Sequence, residues 1–106
     1  MGTVNEYMAI VKEIVLKHIP QNDYAVFLFG SRAAGNAGKL SDIDVGIMGS
    51  KPVSALTKLD LQEELDECIV PYKIDVIDFF NADTSFKKEA LSKIELWNCP
   101  PGMRLN

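Results

Sequence analysis

Gly30-Ser31-Arg32-Ala33-Ala34-Gly35-Asn36-Ala37-Gly38-Lys39-Leu40-Ser41-Asp42-Ile43-Asp44-Val45 is the stretch on which the reading of this chain turns. It follows the continuous apolar run Tyr24-Ala25-Val26-Phe27-Leu28-Phe29, which reads as a buried strand. Gly30 at the end of that strand lets the backbone turn sharply. Ser31 to Gly35 then fit the start of a short helix whose free N–H groups attract phosphate oxygens. Ser31 adds a hydroxyl donor and Arg32 a cation. From Asp42 the pattern alternates, with Ile43, Val45 and Ile47 on one face and Asp42, Asp44 and Gly46 on the other. Two carboxylates two residues apart on a strand point to the same side and reach the same ions. That spacing suits a pair of magnesium ions about 3.5 to 4 Å apart, which stabilise the attacking and leaving oxygens of an in-line phosphoryl displacement. Two acids alone would be a solvated strand edge. The Gly30-Ser31 turn ahead of them shifts the balance to a catalytic site.

Other readings of the glycines fail on the letters. A Walker A loop needs Gly-x-x-x-x-Gly-Lys-Ser/Thr, but Gly35 is followed by Asn36, and Gly38-Lys39 by Leu40. A calcium loop needs further oxygen ligands and a glycine directly after Asp44, where Val45, Gly46 and Ile47 continue the strand.

Before the decisive stretch, Thr3 and Glu6 form a capping box. Val4, Tyr7, Met8, Val11, Ile14, Val15 and His18 then follow at helical spacing up to Pro20. His18 reads as a packed or C-terminal capping residue with no catalytic role. After the stretch, Pro52 and Ser54 open a helix with an imperfect stripe of Val53, Leu56, Leu59, Leu65, Cys68 and Ile69. Glu63, Glu64, Asp66 and Glu67 read as its solvated face. Pro71 stops that helix, and Lys73 to Phe79 form a third strand. Asp83 or Thr84 caps a last helix carrying Phe86, Ala90 and Leu91, with Ile94 as its far candidate. The short first connection predicts antiparallel pairing of strands one and two, and the helix before strand three permits a parallel crossover. The expected fold class is α/β, a small mixed β-sheet flanked by helices. One domain is expected over residues 1–97, with 98–106, opened by Asn98-Cys99-Pro100-Pro101-Gly102, as a flexible tail.

A chain of 106 residues has the length of one small domain, and a net charge of −4 argues against a protein that grips nucleic acid through its phosphates. The same acidity is compatible with a nucleotide held through cations. Cys68 and Cys99 stand far apart with no histidine set beside them, so zinc and a disulfide framework have no support. No signal peptide or membrane-length apolar run is visible, and Glu6 breaks the myristoylation pattern that Met1-Gly2 would start, so a cytoplasmic protein without membrane contact is expected.

Gly30-Ser31 followed by Asp42-x-Asp44 resembles the signature of nucleotidyltransferases similar to the DNA polymerase beta palm. The longer string, Gly-Ser-Arg-Ala-x-Gly at 30–35 through Ser-Asp-Ile-Asp at 41–44, looks most like the minimal nucleotidyltransferases called MNT proteins. The resemblance runs from the first helix to the last. It implies a polymerase beta palm-like fold, a triphosphate on the turn at Gly30, Ser31 and Arg32, and magnesium on Asp42 and Asp44. It further implies a third catalytic aspartate on the next strand. Asp75 matches by its place early in the strand, with Asp78 as a competitor. The chain departs at Ala34, where many similar proteins carry a second arginine.

The activity implied is transfer of a nucleoside monophosphate, AMP from ATP in the preferred version, to an acceptor hydroxyl. The family further implies a helical HEPN-type partner, in a toxin–antitoxin pair whose tyrosine is the acceptor, or a homo-oligomer. The competing reading is a nucleotide-binding interaction module that neutralises a partner with little turnover. Magnesium-dependent pyrophosphate release would separate the two.

Overall fold

In a computed structural model that describes residues 3–35, 42–103 and 105, the elements run α1 (Val4–His18), β1 (Tyr24–Phe29), α2 (Ser31–Ala34), β2 (Ile43–Gly49), α3 (Ala55–Glu67), β3 (Ile74–Asp78), a 3-10 turn (Phe79–Asn81), α4 (Thr84–Ala90) and β4 (Glu95–Asn98). The four strands form one mixed sheet in the order β3-β2-β1-β4. β1 pairs antiparallel with both β2 and β4, and β2 pairs parallel with β3. The helical crossover α3 is what makes the parallel step possible.

The first helix starts as its letters require: Thr3 Oγ1 accepts a hydrogen bond from the Glu6 amide at 3.2 Å. Its buried residues are Val11, Ile14 and Val15. Ser54 caps α3 in the same way, through the Thr57 amide. β1 is buried along its whole length because it lies in the middle of the sheet with cover on both sides. Tyr24, Val26 and Leu28 join Ile43, Val45, Ile47, Ile74 and the apolar faces of α1 and α3 in the main core. Phe27 and Phe29 point the other way and meet Phe79 in a second core, against which Met48, Ala90, Leu91, Ile94 and Leu105 pack.

Several elements depart from the sequence reading. A fourth strand, β4, occupies residues 95–97, to which the sequence reading gave no element, and Asn98, read as the start of a tail. Ala90 closes α4, and Ile94 lies beyond it. Asn98 is the last residue of β4, and its side-chain amide donates at 2.8 Å to both Gln21 O and Tyr24 O. Pro100 is buried. The stripe of α3 also has a different phase: Leu61 and Leu65 are buried, whereas Leu56, Leu59 and Ile69 are exposed. Glu64 is tied to α1, through Lys17 and through His18 Nε2 at 2.8 Å. Phe79 leaves the third strand for the 3-10 turn.

The radius of gyration is 13.2 Å, against about 13 Å for a folded chain of this length. Among the described residues no helix is long and apolar enough to cross a membrane.

Candidate active site

The two faces of the sheet differ in cover. Both long helices, α1 and α3, lie on the face of Val26 and Val45. The opposite face is covered by the 3-10 turn and α4 over Phe27 and Phe29, and it is here that the acids gather. Asp44 is the Cα partner of Phe29 across the antiparallel ladder, and of Asp75 across the parallel one. Directly paired residues project to the same side of a sheet, so the second strand of acids places Asp75 beside Asp44. Asp42 immediately precedes β2, and the Ile43 amide donates to Lys73 O at 2.8 Å, carrying the parallel ladder to the end where Asp42 stands.

Asp78 goes elsewhere. It is the partner of Ile47, three residues from Asp75 and therefore on the helix-covered face. There its carboxylate accepts from the Val53 amide at 2.8 Å and from the Phe80 amide at 3.0 Å. These bonds fasten the entry to α3 and the 3-10 turn to the end of β3.

Gly30 connects the turn to the acids. Its φ of 77° lies in the left-handed region, and a Cβ there would overlap Asp44 Oδ2. Glycine is thus required twice at this position, once by the backbone and once by the carboxylate lying against it. Ser31 begins α2, a single turn directly after that glycine. The Arg32 guanidinium carbon sits 4.5 Å from the centre of the Tyr72 ring, which in turn meets Tyr7 of α1 edge-on. Asn36 to Ser41, including Gly38, Lys39 and Ser41 of the motif, lie outside the described residues.

The Asp44 carboxyl is held above its ordinary pKa, first by burial and then by the neighbouring charges of Asp75 and Asp42; Lys73 pulls the other way. Lys73, whose Nζ lies 3.9 Å from Asp75 Oδ1, is a cation beside the acids that the sequence reading passed over. Its place two residues before Asp75, at the head of the strand as read from sequence, was the available signal. Among the described residues no three potential ligands are drawn together into a metal-binding group, so the acids share a face without closing on one point. Their chemistry nonetheless fits a hard divalent cation: the donors are all carboxylate oxygens, and the repulsion from Asp75 and Asp42 that adds to burial in raising Asp44 is what such an ion relieves.

Comparison with known proteins agrees with this layout. Residues 11–98 match the protein family described as Polymerase beta, Nucleotidyltransferase. The chain is 36% identical over 84 residues, 79% of its own length and 72% of the relative's, to the "Probable protein adenylyltransferase MntA" of Haemophilus influenzae. In fold it is similar to a toxin–antitoxin structure with AMP-PNP, with a TM-score of 0.66 and 18% identity over 90% of this chain and 73% of that one. It is likewise similar to a structure of a tri-AMPylated Shewanella oneidensis HEPN toxin in complex with MNT antitoxin, with a TM-score of 0.64 and 16% identity over 88% of this chain and 70% of that one. With the family match spanning all four strands, α3 and the second half of α1, and the fold carrying the acids on paired strands beside a glycine turn, this chain belongs to the polymerase beta nucleotidyltransferase family and is of its MNT type.

Proposed function

We propose that this chain transfers AMP from ATP to a hydroxyl of a partner protein, releasing pyrophosphate, with Asp42, Asp44 and Asp75 as its catalytic carboxylates. The observation that carries this reading is the parallel pairing of Asp44 with Asp75, next to a glycine turn packed against the Asp44 carboxylate. Asp42, Asp44 and Asp75 would hold two magnesium ions, which supply charge neutralisation at the phosphates. The turn at Gly30 and Ser31 binds phosphate oxygens through its backbone N–H groups and the Ser31 hydroxyl. Asp75 accepts the proton of the acceptor hydroxyl as its oxygen forms the new bond to the α-phosphorus, and the bond from that phosphorus to pyrophosphate breaks. Arg32, whose guanidinium stacks on Tyr72, adds a cation next to the turn for the phosphates.

The acceptor follows from the relatives. A protein adenylyltransferase name and a complex with an AMPylated HEPN toxin support a helical HEPN-type partner whose tyrosine is modified, with this chain as the antitoxin of the pair. A cytoplasmic site of action accords with ATP as the donor. The test is to incubate the purified chain with magnesium, ATP labelled at the α-phosphate and a helical HEPN-type protein. Label should pass to the partner as AMP in equal amount to the pyrophosphate released, and Asp44→Asn should stop both. Tight binding of the partner with no labelled product and no pyrophosphate would replace this reading by a binding module that neutralises without turnover.

A further inference from the structure

On the acid-bearing face, the end of β1 and α4 with the residues just after it enclose a cleft of about 420 Å³ lined by Phe29, Gly30, Phe86, Glu89, Ser92 and Lys93. Its size falls within the range of roughly 300 to 1,000 Å³ of small-molecule sites. One wall is Gly30 itself, the residue whose α-carbon lies against Asp44. The cleft therefore shares Gly30 with the turn that lies against the Asp44 carboxylate. Phe86 stands over it. Its ring is braced by Phe79, with centroids 5.4 Å apart, and by Phe29, edge-on at 6.1 Å, yet the residue remains 42% exposed. A fixed aromatic ring left this open beside a phosphate turn offers a flat apolar surface to a planar ligand. Lys93 adds a cation to the same cleft on the side chain most able to extend along a phosphate chain.

We propose that this cleft is the nucleoside subsite of the triphosphate, with the base stacked on Phe86 and Lys93 beside the sugar and phosphates. The proposal rests on the transferase reading above, because it takes the direction of the ligand from the Gly30 turn. It assigns α4 the task of recognising the donor and leaves the acids on β2 and β3 to the chemistry. Stacking holds any base by its π-face, so Phe86 sets affinity for the nucleoside without choosing among bases.

The experiment compares ATP with inorganic tripolyphosphate, which has the phosphates and no nucleoside. Both are titrated calorimetrically, with magnesium, into the wild-type chain, Phe86→Leu and Phe86→Ala. Phe86→Leu keeps an apolar side chain over Phe79 and Phe29 and so guards against a loss of fold, which circular dichroism checks. Wild type is expected to bind ATP more tightly than tripolyphosphate. Each variant should lose about tenfold in ATP affinity, the scale of one stacked base, and keep its tripolyphosphate affinity. Lys93→Ala should weaken both ligands. Equal wild-type affinity for ATP and tripolyphosphate, or wild-type ATP affinity in Phe86→Leu, would overturn the subsite and leave the transferase reading standing. A wild-type chain that binds neither ligand would remove both.

Discussion

Asp44 carries two costs in the unbound protein, partial burial and two like-charged neighbours. Its raised pKa fixes the sign of a stability effect. A carboxyl more easily protonated in the folded than in the unfolded chain favours folding at low pH, and that advantage disappears as pH rises through the folded value. Asp44→Asn should therefore melt at a higher temperature than wild type in metal-free buffer at neutral pH. The two should converge below the carboxylate range, where both hold a neutral group; a variant less stable than wild type at neutral pH would contradict the assignment. Asp75 and Asp78 offer the sharper contrast. Asp75→Asn should abolish transfer without lowering the melting temperature, since it removes one of the charges that burden Asp44. Asp78→Asn should keep most transfer and lose about 1 to 3 kcal/mol of stability, because its carboxylate serves two backbone amides and an amide side chain has one oxygen to offer them. Paired activity and thermal-melt measurements decide this, and inactivity confined to Asp78→Asn would reverse the roles.

Among the elements, those with a single dominant local signal were legible. α1 had its capping box and stripe, β1 its unbroken apolar run, and β2 its strict alternation. The parallel turn into β3 followed from the helix between. β4 was not legible, because Glu95-Leu96-Trp97-Asn98 is short, alternates weakly and runs into prolines; it becomes a strand by completing the open edge of β1. The phase of α3 was equally hidden, since leucines at 56, 59, 61 and 65 allow more than one stripe and only the sheet beneath selects Leu61 and Leu65. Asp42 and Asp44 could be read as a pair, and Asp75 was preferred to Asp78 by its place early in the strand; only strand register puts Asp75 on the face of Asp44, and the cleft beside Phe86 needed α4 in place. The tie between α1 and α3 is testable by itself. Lys17 first and His18 next hold the Glu64 carboxyl below its ordinary pKa, a contribution that is full above the usual carboxylate range and lost as pH falls through the lowered value. Glu64→Gln should thus be slightly less stable than wild type at neutral pH and indistinguishable from it in strong acid, as followed by thermal melts at both.

For the whole molecule, the order β3-β2-β1-β4 leaves the most apolar strand inside the sheet, guarded on its outer side only by four residues. A chain ending at Ile94 should expose that side of β1 and self-associate through it, since an unpaired apolar edge is a template for another strand. Sedimentation should show larger species than the full chain gives at the same concentration, or precipitate; a folded truncation that sediments like the full chain would show that β4 is dispensable. A last consequence comes from Gly46, where a Cβ would fall within the Phe27 ring lying across from it. Gly46→Ala should cost about 1 to 3 kcal/mol or more, the range of an overpacked core, measured by urea denaturation. The ring and the missing side chain act together as a detent between two sliding rails. Should β2 creep by one residue against β1, the ring would strike Val45 or Ile47, and Asp44 would rotate from the open face into the hydrocarbon beneath α1 and α3. The protein thereby keeps its acids in alignment through an apolar latch two residues away, one that carries no charge, touches no substrate and is indifferent to pH.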